Sequence, residues 1–227
     1  MKKIKRKPFR IITTVLERKY KSLLLMLVAM ILVPSFITNL YAQQLVSFIL
    51  TSSTIFLAIN AIIRTKQQLY LGFALAGIVI LVNQVGIFKS EASLDFYLSF
   101  LLYLLFYIYV VYRLLTMIIA TANVRIGVLY ASVIVYLLIG VIGGYLFMLI
   151  ENASPGSVTN LEVDTLTNPK EFFYFSFTTL STLGYGEITP YSAAARAISI
   201  LLSTIGPLYL TVLIALLVSR FEHSDIH

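Results

Sequence analysis

Thr182-Leu183-Gly184-Tyr185-Gly186 is the stretch on which the reading of this chain turns. It is preceded by Thr178-Thr179-Leu180-Ser181 and followed by Glu187. Left-handed backbone brings the Cβ of an L-residue against its own carbonyl, whereas glycine occupies that region without strain. Gly184 and Gly186 alternate with bulky residues, so the segment suits a backbone that alternates right- and left-handed conformations. Such a backbone turns successive carbonyl oxygens toward one axis, where they can replace the hydration shell of a cation. Thr182 adds a hydroxyl at the inner end of the row. Leu183 and Tyr185 are expected to point away from the axis and brace the loop from behind. The competing reading is a chance glycine-rich turn.

The residues leading into the loop support the first reading. Phe172–Thr182 is a short aromatic segment, predicted to be a helix too short to cross a bilayer. Asn168-Pro169-Lys170-Glu171 has the signature of its start, with Asn at the cap, Pro in the first turn and Glu reaching back. A helix ending at the loop would aim its partial negative charge toward the place where a cation sits. Half-length helix followed by irregular backbone is tolerated at membrane depth only where it lines a water-filled cavity.

Long apolar segments surround this unit. A spanning helix needs about 20 mostly apolar residues, because the hydrocarbon core is about 30 Å thick. Ser22–Leu40, Gln44–Ile63, Leu69–Phe88, Leu94–Ala120 and Gly127–Ile150 precede the loop, and Ala193–Ser219 follows it. The predicted fold is an all-α membrane protein of six transmembrane helices with a re-entrant helix and loop. Its expected divisions are a basic amino-terminal stretch 1–21, a four-helix part 22–120, a pore part 121–219 and a short tail 220–227. That tail is expected to hold no ligand-binding domain.

Composition agrees. Of 227 residues, 59% are hydrophobic and 12% charged, against about half and about a quarter in soluble domains. Too few polar side chains remain to cover a water-facing surface. Nine of the 17 Lys and Arg lie between Lys2 and Lys21. With that end in the cytoplasm, 14 basic residues fall inside and only Lys89, Lys170 and Arg196 outside, so both termini are expected to be cytoplasmic. The basic cluster reads as this topology signal, and not as a nucleic-acid surface or a signal peptide. No cysteine is present, which excludes disulfides and thiolate metal sites.

On these residues the chain resembles the potassium channel superfamily, in the form of a six-transmembrane subunit with a single pore loop, similar to bacterial potassium channels. The pattern Thr-x-x-Thr-x-Gly-Tyr-Gly is present as Thr179 to Gly186. The resemblance implies K⁺ ligands from the carbonyls of Thr182, Leu183, Gly184, Tyr185 and Gly186 and from the Thr182 hydroxyl. It also implies a homotetramer at the plasma membrane, surrounded by lipid, with permeant K⁺ and no organic cofactor, nucleic acid or small-molecule substrate. Pro190, Arg196 and Gly206 stand in matching places. Glu187, Tyr174 and Phe175 occupy positions that in the family form a cuff around the filter, with Thr178 and Thr179 as further support. Here Glu187 replaces the usual Asp, and Tyr174-Phe175 stand where Trp pairs are common, which puts filter stability in question. Leu183 replaces the commoner Val. The resemblance is strong over residues 127–219 and rests before them on the helix count alone.

Several other residues carry two readings. Voltage sensing requires basic residues at every third position of the fourth helix, each worth about 2.3 kcal/mol per 100 mV. That helix holds Arg113 alone, followed by Arg125 beyond its end, and its body is aromatic, so strong voltage dependence is not expected. Arg113 is read as snorkelling to the inner interface. Asn60, Asn83 and Gln84 are read as interhelical hydrogen-bonding groups, or else as a regulatory pocket. Gly140, Gly143 and Gly144 read as close packing. Gly206-Pro207 reads as a gating hinge or a static kink. Asn152-Ala153-Ser154 matches a glycosylation acceptor on an expected outer loop, though so short a motif arises often by chance. His223 and His227 have no partner for catalysis, so an enzyme is not expected. The alternatives to a potassium-selective pore are a weakly selective cation channel, a non-conducting modulatory subunit, and a transporter subunit, which would ordinarily carry four such loops.

Overall fold

The computed structural model describes residues 7–63, 77, 94–121, 126–161 and 170–222. Within them the chain is helical: α1 Lys7–Leu32, α2 Leu40–Ile62, α3 Leu94–Ala120, α4 Ile126–Ala153, the short α5 Lys170–Leu180 and α6 Ala193–Glu222. Among the described residues, five apolar stretches are long enough to cross a bilayer: Glu17–Phe36, Tyr41–Ile62, Phe100–Ala120, Ile126–Ala153 and Ala193–Ser219. The expected segment Leu69–Phe88, with Asn83 and Gln84, lies outside the described residues apart from the helical Gly77.

The first helix departs from its expected bounds at both ends. It is already helical at Lys7, so the basic residues 7–21 continue the apolar span in one helix; Lys and Arg are good helix formers, and Pro8 stands in its first turn, where a missing N–H is tolerated. It stops at Leu32, well before Leu40. Pro34 has no N–H to extend the ladder, and the chain tightens into a 3-10 turn over Val33–Phe36. The Asn39 side chain then accepts a 3.2 Å bond from Ala42 N and starts α2. Asn60 is exposed, and its backbone carbonyl accepts from Lys19 Nζ at 3.2 Å. Asn152 sits in the last turn of α4 and not in a loop.

One continuous apolar cluster joins the elements, running through Leu23 of α1, Ile59 of α2, Tyr107 of α3, Phe147 of α4, Phe172 of α5 and Leu202 of α6. α1 packs against α4 as well as α2, α3 lies along α4, and α5 is held between α4 and α6. In lipid the apolar surroundings supply little drive for helix association, so close packing and small residues must do so. α4 provides them where it meets α5. A Cβ at Gly140 would strike the ring of Phe177, one at Gly143 the Ser176 hydroxyl, and one at Gly144 the ring of Phe173. These glycines share one helix face, and the Ser176 hydroxyl crosses the gap to donate a 2.7 Å bond to the Gly140 carbonyl. Tyr145 extends the same junction to α3: its ring stacks on Tyr103 at 5.5 Å and meets Phe173 edge-on at 5.2 Å. The aromatic body of α3 thus abuts α4 beside α5.

Candidate functional site

α5 ends at Leu180, two residues short of its expected end at Thr182. Ser181 and Thr182 form a turn, and Ser181 N still reaches back to Phe177 O at 2.9 Å. Beyond it the backbone alternates. φ is +59° at Thr182, +52° at Gly184 and +90° at Gly186, whereas Leu183 and Tyr185 are not left-handed. The two glycines stand where the spacing placed them. Thr182 adds a third left-handed position that a β-branched residue adopts only under constraint.

The constraint comes from the last turn of α5. Carbonyls there have no intrahelical partner. The Thr179 carbonyl accepts from Thr182 N at 3.0 Å, and the Thr178 carbonyl accepts from Leu183 N at 2.9 Å and Gly184 N at 3.2 Å. Thr178 is buried, and its hydroxyl donates to Phe175 O at 3.1 Å. The entry to the loop is therefore pinned by its amides, which leaves the loop's own carbonyls for other partners. Leu183 and Tyr185 do not brace the loop within the chain itself: they are 54% and 70% exposed.

Behind the loop lies a cleft of about 370 Å³ bounded by α5, the loop and α6, with Thr179, Tyr185, Glu187 and Ser203 among its walls. The Tyr174 hydroxyl donates to the Glu187 carboxylate. That bond, with the added cost of placing a second negative charge beside the carboxylate, pushes the Tyr174 pKa up to about 12. Phe175 faces the other way, buried with its ring 4.5 Å from Phe147 of α4.

The segment leaving the loop is tied to the one entering α5. Val158–Thr159 and Thr189–Pro190 pair as two short antiparallel strands, β1 and β2, with Val158 opposite Pro190 and Thr159 opposite Thr189. The Thr159 and Thr189 hydroxyls lie 2.6 Å apart. The Ser157 carbonyl accepts from Tyr191 N at 2.8 Å and Ser192 N at 3.1 Å. Asn160, at φ +63°, donates from Nδ2 to the Glu187 carbonyl at 2.9 Å. At the base of this strap the Glu151 carboxylate accepts from Gly156 N at 2.7 Å and Val158 N at 2.8 Å. Arg196 Nε reaches the Pro190 carbonyl at 3.4 Å.

α6 passes beneath α5 unbroken through Pro207. At Gly206 the approach is so close that a Cβ would overlap the Leu180 carbonyl oxygen. Gly206 thus makes contact with the end of the short helix, besides being the flexible residue before the proline.

Residues 132–223 match the model of a family described as ion channel. The chain is also 38% identical over 65 residues to Two-pore potassium channel 4 of Arabidopsis thaliana. Residues 132–223 are thus similar to an ion-channel family. The aligned part is 29% of this chain, and the chain spans about a fifth, 20%, of the length of that curated relative. No solved structure matches the chain.

With its apolar helices the chain is a multi-pass membrane protein, and the stretch that matches the ion-channel family contains α5, the loop and α6. Read as channel parts, α4 is the outer helix, α5 the pore helix and α6 the inner helix. Three groups at this site escaped the sequence reading: the left-handed Thr182, the Asn160 amide and the Glu151 carboxylate. Asn160 left a faint signal, since Asn is among the few residues besides glycine that tolerate left-handed backbone. Asn168 and Pro169 lie outside the described residues, while Lys170 and Glu171 open α5.

Proposed function

We propose that the chain is one of four identical subunits of a potassium-selective channel, conducting K⁺ passively across the plasma membrane with both termini in the cytoplasm. The observation that carries the proposal is the alternating loop Thr182–Gly186, whose entry amides are satisfied by the carbonyls of Thr178 and Thr179. Loop carbonyls freed in this way can take the place of water around a desolvated cation. In this reading the ligands are the carbonyls of Thr182, Leu183, Gly184, Tyr185 and Gly186 and the Thr182 hydroxyl. Tyr174 and Glu187 hold the outer end, Thr178 and Thr179 hold the inner end, and Phe175 anchors the pore helix to the outer helix.

One chain supplies one wall of such a filter, so four must surround the axis. The faces left open on a protomer fit that arrangement. Leu183 and Tyr185 are exposed, as are Ile200, Leu208, Val212 and Ile214 along α6. Neighbouring subunits would cover the first two and supply the bracing that a single protomer lacks. We place the gate at Gly206–Pro207, where the backbone ladder lacks one N–H and the inner helix crosses under the pore helix. Arg113 is the single basic residue of α3, which favours weak voltage dependence or none.

Protein reconstituted into a bilayer with K⁺ on one side and Na⁺ on the other tests the proposal. A reversal potential close to that of K⁺ is expected. A reversal near zero would replace it with a weakly selective cation channel. No current from the chain alone, with altered current when it is combined with other channel chains, would replace it with a modulatory subunit.

A further inference from the structure

The outer strap does something that the filter reading does not use. It begins at the Glu151 carboxylate at the end of the outer helix, runs through β1, and ends at the Asn160 amide on the Glu187 carbonyl. Glu187 follows directly on Gly186, the last residue of the filter. The strap therefore grips the backbone one peptide beyond the filter's outer end. It does so from a segment 27 residues earlier in the chain.

A filter of this type is held at its inner end by helix carbonyls, but its outer end needs an anchor of its own. Gly186 and Gly184 have no atoms within 4 Å of where a Cβ would lie, so side-chain packing does not restrain their backbone. Glycine also carries the largest conformational freedom to lose. Tyr174 restrains Glu187 only through its side chain, across several rotatable bonds. Asn160 acts on the main chain itself. Its own backbone is left-handed, a conformation Asn accepts more readily than most residues, and this conformation accompanies its bond to Glu187. β1–β2 pairing fixes where Asn160 stands, and the two Glu151 bonds fix β1 to the outer helix.

We propose that Asn160 is a positioning residue of the filter, holding the Glu187 carbonyl so that the outer end of the ion path keeps its conducting geometry. The proposal rests on the pore reading of Thr182–Gly186. It predicts how long the filter stays conductive under sustained ion flow, and how that time depends on external K⁺. Ions bound in the filter stabilise the conformation that binds them, so external K⁺ and the Asn160 bond act on one equilibrium.

Two variants remove the bond differently. Asn160→Gly keeps the left-handed backbone and deletes the amide; Asn160→Asp keeps the shape and places an acceptor against the Glu187 carbonyl. Both are expected to shorten the conducting period about five-fold at low external K⁺, a ratio in the range of one lost hydrogen bond, and to recover at high external K⁺. Asn160→His keeps an N–H donor and is expected to restore part of the native duration. Hydrogen exchange at the amides of residues 184–190, measured on the assembled protein, gives a second readout independent of current. It should speed up in the Gly and Asp variants while the amides of α4 do not change. Native durations and exchange in both variants would overturn the positioning role. Absence of K⁺ current from the native protein would defeat the pore reading instead, and the exchange result would still decide whether Asn160 restrains residues 184–190.

Discussion

Replacing Gly206 by Ala separates two roles for that residue, because they predict opposite signs. In an exposed helix interior, Ala is more favourable than Gly by about 1 kcal/mol. At Gly206 the new methyl would overlap the Leu180 carbonyl oxygen and lie 3.0 Å from the Leu180 carbonyl carbon. Both struck atoms are backbone, held in the last turn of the pore helix, and cannot rotate aside. Overpacking of this kind costs about 1–3 kcal/mol, and a backbone clash belongs at the upper end. The net expectation is a loss of about 1–2 kcal/mol, with the pore helix displaced from the inner helix. Gly127→Ala is the control. There a Cβ would meet Tyr20 Cδ2 at 3.6 Å, an ordinary contact, so stability should hold or rise. Thermal unfolding of the two variants in the same detergent or lipid, with tetramer content followed alongside, makes the comparison. G206A should melt below the native protein and G127A at or above it. If G206A melted with G127A while its open probability changed, the close approach would be refuted and Gly206 would act as a hinge alone.

Three further outcomes follow from the site. The raised Tyr174 pKa means that the folded protein holds the phenol proton more tightly than the unfolded chain does, so that bond's contribution is complete below pH 10 and fades as pH rises toward about 12. The melting difference between native protein and Tyr174→Phe should therefore shrink across that window; a difference independent of pH would show that the hydroxyl does not pair with Glu187. Gly186→Ala meets no neighbour but puts a Cβ on backbone at φ +90°, a strain of about 1–2 kcal/mol at the filter's outer end. It should abolish or sharply reduce K⁺ current in reconstituted vesicles while tetramer content stays native. Arg113→Gln removes the single basic residue of α3. The steepness of conductance against voltage should not change, and a shallower curve in patch recording would revive voltage sensing.

What was legible in the sequence was what residues impose locally. Gly184 and Gly186 announced left-handed backbone because glycine takes it at the least cost, and they have it. Apolar length announced α3 at both ends and α2, α4 and α6 to within about four residues. It failed at α1, because hydropathy registers burial in lipid and is blind to a missing N–H: Pro34 ended the helix inside an apolar run. The glycines of α4 were readable as a close-packing face, but their partners Phe173, Ser176 and Phe177 lie on a helix about thirty residues later, and no periodicity links the two. The same limit hid the strap, since strands of two residues carry no alternation to detect.

Thr182 shows where the local reading must give way. By its own preference a β-branched residue avoids left-handed backbone, at a cost of about 1–3 kcal/mol. Three amides in succession, those of Thr182, Leu183 and Gly184, bond to the two carbonyls that the pore helix leaves free. Each such bond contributes about 1 kcal/mol net, so together, at about 3 kcal/mol, they offset the strain. Under the proposed function the threonine hydroxyl is a ligand at the inner end of the row, a place where glycine would relieve the strain but supply no side-chain oxygen. In the proposed pore, the residue that looks least suited to the backbone is the one whose side chain would face the ion path, and α5 holds it there.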